Sequence, residues 1–462
     1  MGATSPFKNH HYNNHNHQSH FVTKKLIPWT LYALLPIALL RLYFNPLDFL
    51  LSSSDHLLPT TSPISSSSSI SISNPPPLIP PHQHQESEKA RHESAPPCDY
   101  ATGKWVQDKR GPMYNATTCT TIKEGQNCFA HGRPDSEYLY WRWEPNQSHC
   151  QIPRFDSNTF LQLISNKHLA FVGDSLARNQ LESLLCMLAI LSPPNLVYTG
   201  GEDNKFRRWN FPSHNVSISV YWSPFLVQGV ERSSSGPSHN HLFLDRVNQK
   251  WAEDLDKMDM IVLSFGHWYL NPAVFFEGDS VLGCHYCPGL NHTEIGFYDA
   301  VRKALRTSLN AIRGRRRVAN TKGISVVVTT FSPAHFVGEW DKNGACSKTK
   351  PFGEGEKMLE GMDAEMRKVE VEEVEMANKE ENGERYLGYF RAVTLDVTKL
   401  ALMRPDGHPG PYMHPFPFAN GVSERVQNDC VHWCLPGPID TWNEILLQVI
   451  KKWDLGQSGR EE

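Results

Sequence analysis

Residues 260–265 (MIVLSF) and 324–331 (ISVVVTTF) are almost unbroken apolar runs, and residues 168–173 (HLAFVG) form a third. Each has the length of one strand, and a run without polar alternation predicts a strand buried on both faces. Residues 216–227 (VSISVYWSPFLV) and 386–397 predict two more strands. Between them lie stretches of helical period. Residues 156–165 predict a short helix. Leu176, Leu181, Leu184, Leu185 and Leu188 predict a second, and residues 298–313 a third. Residues 354–385 are densely charged, with Met358, Met362, Met366 and Val369 three or four apart, which predicts an amphipathic surface helix. Strands that alternate with helices predict an α/β domain with a mainly parallel sheet. Ligands of such sheets bind beyond the carboxyl ends of the strands. Gly173–Ser175, Gly266-His267 and the loop after Phe331 fall there. The Pro- and aromatic-rich stretch 402–427 is expected to line the substrate.

The polarity pattern divides the rest of the chain. Residues 1–25 are polar and rich in His and Asn, as in a solvated tail. Residues 26–44 are almost wholly apolar, with Arg41 the one charge, and follow Lys24-Lys25, with no small-residue cleavage site after them. They predict a signal anchor with the N-terminus in the cytoplasm and the remainder in a lumen, that is, a type II topology. Residues 45–96 are rich in Ser and Pro and cannot bury a core, so they read as a stem. Residues 97–152 read as a small Cys-rich subdomain, and 153–453 as the main domain.

The net charge of −4 shows no basic excess, so a nucleic-acid partner is not expected. All ten cysteines follow the apolar segment. A luminal compartment favours disulfides, with zinc as the rival at Cys284/Cys287 and at the Cys430/His432/Cys434 cluster. Asn115, Asn146, Asn215 and Asn291 head sequons and are expected glycosylation sites.

Gly173-Asp174-Ser175 stands where a predicted strand gives way to a predicted helix. A serine hydroxyl there sits beside free backbone N–H groups and the positive end of the helix dipole, which stabilise a developing oxyanion. A Gly-Asp turn with a capping residue would account for this tripeptide alone. The second motif is Asp429-Cys430-Val431-His432. In a tight turn the carboxylate of Asp429 reaches one imidazole nitrogen of His432 and leaves the other to take a proton from Ser175. Arg178, one turn into the helix, reads either as a support for Asp174 or the Asp429 loop, or as a substrate contact. Neither a Walker loop nor a dinucleotide fingerprint is present.

Together, Gly173-Asp174-Ser175 and Asp429-x-x-His432 resemble the SGNH/GDSL esterase superfamily. The longer phrases, from Phe171 to Gln180 and from Asp429 to Gly437, resemble the plant trichome-birefringence-like family of Golgi polysaccharide O-acetyltransferases. The resemblance implies an SGNH-like α/β fold behind a Cys-rich N-terminal region. It implies Ser175 as nucleophile, His432 as general base and then acid, and Asp429 as its orienting partner. It also implies the pairs Cys98–Cys150, Cys119–Cys186, Cys128–Cys434 and Cys346–Cys430, which leaves Cys284–Cys287. Relatives often carry Asn-Thr-Gly-His-Trp where this chain has Ser264-Phe265-Gly266-His267-Trp268. An oxyanion-hole Asn is therefore missing, and either Gly173, Asp174, Ser264, Gly266 or backbone groups serve, or the hole is built elsewhere. The phrases 404–412 and Trp442-Asn443-Glu444 are most similar to the xyloglucan-acetylating branch, beside a branch that acetylates mannan. The expected reaction passes acetyl from a donor, such as acetyl-CoA, through Ser175 to O-6 of xyloglucan galactose in the Golgi lumen, with no bound cofactor or metal. An acetylesterase using the same triad and a non-catalytic wall-glycan-binding protein are the rival readings.

Overall fold

The computed structural model describes residues 98–319, 323–381, 390–423 and 425–458. The expected tail, anchor (26–44) and stem lie outside the described residues. Among those described, no helix is long and apolar enough to cross a membrane.

A seven-stranded sheet forms the centre. Its strands are β1 (His168–Gly173), β2 (Asn195–Gly200), β3 (Phe206–Phe211), β4 (Val216–Trp222), β5 (Met260–Ser264), β6 (Ile324–Thr329) and β7 (Phe390–Leu395). They lie in the order β7-β6-β5-β1-β4-β3-β2. The first five in that order are parallel, and β3 and β2 complete one edge as an antiparallel pair. Every residue of β1, β5 and β6 is buried, which is why these strands are almost unbroken apolar runs.

Successive side chains of a strand point to opposite faces, and each face has its own helices. They are α1 (Ser157–Leu163), α2 (Ser175–Ala189), α3 (Tyr298–Ala319), α4 (Gly361–Glu381) and α5 (Asp440–Ser458). Leu169 and Phe171 of β1 pack with Phe160 of α1, Leu184 of α2 and Leu446 of α5 in one core. Ala170 and Val172 pack with Leu305 of α3 and Met366 of α4 in the other. The chain thus has the helix-flanked, mainly parallel sheet expected of an SGNH-like domain.

Two predicted elements differ. Residues 216–227 are not one strand. β4 stops at Trp222, the Ser223 N–H turns to the Gly173 carbonyl at 2.8 Å, and Pro224 has no N–H to continue the ladder. Val227–Val230 instead joins a separate four-stranded sheet with Asn240–Val247, Ala273–Glu277 and Ser280–His285. The charged helix starts at Gly361, so Met358 lies outside it and is 65% exposed. Its buried face holds Met366 and Val369 but also Glu370 and Glu373. Arg302 and Arg306 of α3 grip Glu373, at 3.1 and 2.8 Å. Glu370 accepts the Phe331 N–H at 2.7 Å.

The cysteines pair as Cys98–Cys150, Cys119–Cys186, Cys128–Cys434, Cys284–Cys287 and Cys346–Cys430. Disulfides thereby take up the thiols that zinc would have needed. The Cys-rich region contributes a two-stranded antiparallel ribbon, Gly103–Gln107 with Trp141–Pro145. Cys119 ties this region to α2, and Cys128 ties it to the loop that follows His432.

Candidate active site

Gly173, the last residue of β1, stands opposite Trp222 on β4 and Ser264 on β5, and Ser264 stands opposite Thr329 on β6. The carboxyl ends of four strands are thus aligned. A Cβ at Gly173 would lie 1.7 Å from the Ser264 carbonyl oxygen, so only glycine lets the strands meet here. The same carbonyl accepts the Asp174 N–H at 3.1 Å. Asp174 then caps α2, its carboxylate accepting the Leu176 N–H at 2.9 Å. Ser175 is the first residue of the helix and is half-buried. Burial pushes the pKa of Asp174 up to about 6, against the Leu176 N–H and the His432 ring, which favour the carboxylate.

Asp429 and His432 lie in a tight turn that the aspartate itself builds. Asp429 Oδ1 accepts the N–H groups of Val431 and His432 at 3.0 and 2.9 Å. Asp429 Oδ2 accepts from His432 Nδ1 at 2.7 Å. Burial pushes the Asp429 carboxyl up, but the His432 ring and these N–H donors outweigh it and hold the group well below the usual carboxylate range. A carboxylate at Nδ1 requires the proton there, so in the neutral ring Nε2 presents the lone pair. His432 Nε2 is buried and has no hydrogen-bond partner among the described residues. It does not yet bond Ser175 Oγ, a contact that commonly tightens only when substrate binds.

Other groups hold the turn against α2. Asn179, four residues after Ser175, accepts the Trp433 N–H at 2.7 Å and donates to the Trp433 carbonyl at 3.3 Å. This fully buried amide couples the serine helix to the residue beside His432. Its position in the serine phrase is visible in the sequence, but its partner is not. Gly410 and Asp429 exchange backbone hydrogen bonds at 2.9 and 3.1 Å. Stretch 402–427 therefore reaches the turn in part through Gly410.

The remaining expected residues occupy distinct positions. Gly266, with φ +139°, ends the segment after β5, and a Cβ there would meet the Phe331 ring at 2.8 Å. The next residue, His267, stacks on Phe331 and donates from Nε2 to the Ser332 carbonyl at 2.8 Å. Burial pushes its pKa down to about 4, which keeps it neutral. Ser264 uses its carbonyl to anchor Asp174. The Arg178 guanidinium faces Glu182, with Nε 3.9 Å from Oε1, and lies 5.8 Å from the centre of the Trp222 ring. Burial pushes Glu182 up to about 7, opposed by Arg178 and Lys123. Trp222 and Trp268, both half-buried, meet edge to face at 5.5 Å.

Residues 152–449 match the GDSL/SGNH-like acyl-esterase family found in Pmr5 and Cas1p, and residues 96–151 match the PMR5 N-terminal domain. Xyloglucan O-acetyltransferase 1 of Populus trichocarpa is 65% identical over 99% of this chain and 100% of its own length. Xyloglucan O-acetyltransferase 1 of Arabidopsis thaliana is 53% identical over 93% of this chain and 97% of its own. Protein trichome birefringence-like 26 of Arabidopsis thaliana is 42% identical over 82% of each chain. With residues 152–449 matched by that family's model and relatives 53% and 65% identical over nearly the whole chain, the chain belongs to the GDSL/SGNH-like acyl-esterase family found in Pmr5 and Cas1p.

Proposed function

We propose that this enzyme is a xyloglucan O-acetyltransferase working through an acetyl-serine intermediate. The observation that carries the chemistry is the Asp429–His432 hydrogen bond with His432 Nε2 unpartnered, tied through Asn179 to the helix that Ser175 begins. The acceptor rests on the names of relatives 53% and 65% identical over nearly the whole chain. Trp222, beside Gly173 in the sheet, together with Trp268, offers apolar ring faces of the kind on which sugars stack.

His432 Nε2 removes the proton of Ser175 Oγ as the oxygen attacks the acetyl carbonyl. The oxyanion is met by the Ser175 N–H, which at a helix start has no intrahelical acceptor. The donor's leaving group departs with the proton from Nε2, and acetyl-Ser175 remains. A sugar hydroxyl then gives its proton to Nε2 and attacks the ester, and Ser175 Oγ recovers the proton as the acetylated sugar leaves. Asp429 keeps the Nδ1 proton in place throughout. In this reading the acceptor atom is galactose O-6, the donor is an activated acetyl compound such as acetyl-CoA, and no bound cofactor takes part. The enzyme is held in the Golgi membrane by residues 26–44, with the catalytic domain in the lumen. The four sequon asparagines are exposed, as lumenal glycosylation requires.

An acceptor panel tests this reading. The full-length chain is incubated with acetyl-CoA and separate xyloglucan, mannan and xylan oligosaccharides. A mass gain on the galactosylated xyloglucan oligomer is the expected result. Gain only on mannan or xylan would overturn the acceptor, and release of acetate from pre-acetylated sugar without any gain would make the enzyme an esterase.

A further inference from the structure

Behind the His432 turn, two histidines from distant parts of the chain form a hydrogen-bonded line. His335 Nε2 meets the Leu402 carbonyl at 2.9 Å, His335 Nδ1 meets His408 Nε2 at 2.7 Å, and His408 Nδ1 meets the His432 carbonyl at 2.7 Å. Both ends of the line are carbonyl oxygens, which only accept. The two outer ring nitrogens must therefore each carry a proton. Two neutral imidazoles hold two protons between them, and both are used at the ends. The central contact, nitrogen to nitrogen, needs a third proton, because without one it sets two lone pairs against each other.

We propose that His335 and His408 are positioning residues for acyl transfer, a latch that takes up one shared proton and thereby fixes the backbone carbonyl of His432 and the aim of its ring. The inference rests on His432 being the general base. Further contacts centre the latch on this turn. The His335 N–H donates to the Cys430 carbonyl at 3.0 Å, so His335 holds the turn directly through its backbone and, through His408, by its ring. The His408 ring stacks on Trp433, with centroids 4.2 Å apart. The charges around the pair come from several segments. Asp406 favours and Lys357 opposes charge on His335. Asp429 favours charge on His408, and Arg133, which donates to the His408 carbonyl at 2.8 Å, opposes it. Arg133 is itself paired with Asp135, and Asp406 with the buried Arg404.

Burial pushes both rings down, His335 to about 4, and each charged ring would repel charge on the other. The pair therefore takes one added proton and not two. The latch is complete on the acid side of the pair's titration. As pH rises through it, the shared proton is lost, the central bond fails, and His408 no longer holds the His432 carbonyl firmly.

The test uses the full-length chain labelled with nitrogen-15 in its histidines. Nuclear magnetic resonance on the acid side should show a strongly deshielded imidazole proton that vanishes on raising the pH. It should be lost in both His335→Gln and His408→Gln yet retained in His432→Gln, which removes the separate Asp429–His432 proton. With acetyl donor and xyloglucan oligomer, His408→Gln should lower kcat roughly tenfold to a hundredfold on the acid side of the pair's titration, the cost of a slightly misaimed group, and by less above it, with KM unchanged and one ionisation missing from the kcat–pH profile. Ring nitrogens that report two neutral histidines at every pH in the wild-type chain would overturn the shared proton. A His408→Gln variant whose kcat matches the wild type across the pH range would overturn the positioning role. Absence of acetyl transfer by the wild type would overturn the proposed function instead, and the resonance of the shared proton would still decide the latch.

Discussion

Replacing Asp429 by asparagine should lower the acetyl-transfer rate by about 10⁴-fold, or about 5 kcal/mol of transition-state stabilisation, while the chain stays folded. The side-chain oxygen of the introduced amide can still accept the Val431 and His432 N–H groups, which Asp429 Oδ1 accepts at 3.0 and 2.9 Å, so the turn survives. The second oxygen, now at 2.7 Å from His432 Nδ1, gives way to an amide nitrogen that donates. Nδ1 must then accept, the ring proton moves to Nε2, and the nitrogen meant for Ser175 has no lone pair to offer. Steady-state kinetics on a xyloglucan oligomer, run beside thermal unfolding, measures both parts. A rate within tenfold of wild type would show that Asp429 does not set the tautomer.

A second large effect is expected from Gly173→Ala, and here the loss is of structure. The added carbon would sit 1.7 Å from the Ser264 carbonyl oxygen, a backbone atom of a strand buried at every residue. Neither β1 nor β5 has room to yield, so they must part at the Asp174–Ser175 corner. Destabilisation of about 4 kcal/mol or more is expected, at the extreme of single substitutions. Gly266→Ala meets the Phe331 ring at 2.8 Å and the Met366 methyl at 3.1 Å, which are side chains and can shift. Its penalty, steric and from φ +139°, should be smaller. Thermal unfolding of the two variants should rank them in that order, and the opposite ranking would contradict the steric account.

These two positions mark how far the sequence can be read. β1, β5 and β6 are legible because strands buried on both faces are mostly apolar, without the alternation of a half-exposed strand. The serine and Asp-His motifs are legible because each places its chemistry within a few residues. The edge pair β2 and β3 is not: β2 is exposed along almost its whole length, so no burial pattern marks it. The break after Trp222 is equally hidden, since Val216–Trp222 and Val227–Val230 differ in the sheet they join and not in residue type. In α4 the charges of Glu370 and Glu373 suggest solvent, yet Glu373 is buried against the arginines of α3. At the site, Asn179 meets Trp433 across 254 positions and His335 meets His408 across 73. Such partners have no local spacing to betray them. The disulfides are similar: the pairs the resemblance implies are those the fold brings together, but spacing by itself permits many others.

The most direct measurement of the account is the covalent state of Ser175. The full-length chain is mixed with acetyl-CoA in the absence of sugar, quenched in acid and digested, and the peptide containing Ser175 is weighed and sequenced by mass spectrometry. The account predicts one acetyl group on Ser175 that disappears within a turnover when galactosylated xyloglucan oligomer is added and reappears on the sugar. It also predicts that Ser175→Ala abolishes both signals. An unmodified Ser175 peptide, with transfer to sugar continuing at the wild-type rate in Ser175→Ala, would contradict it.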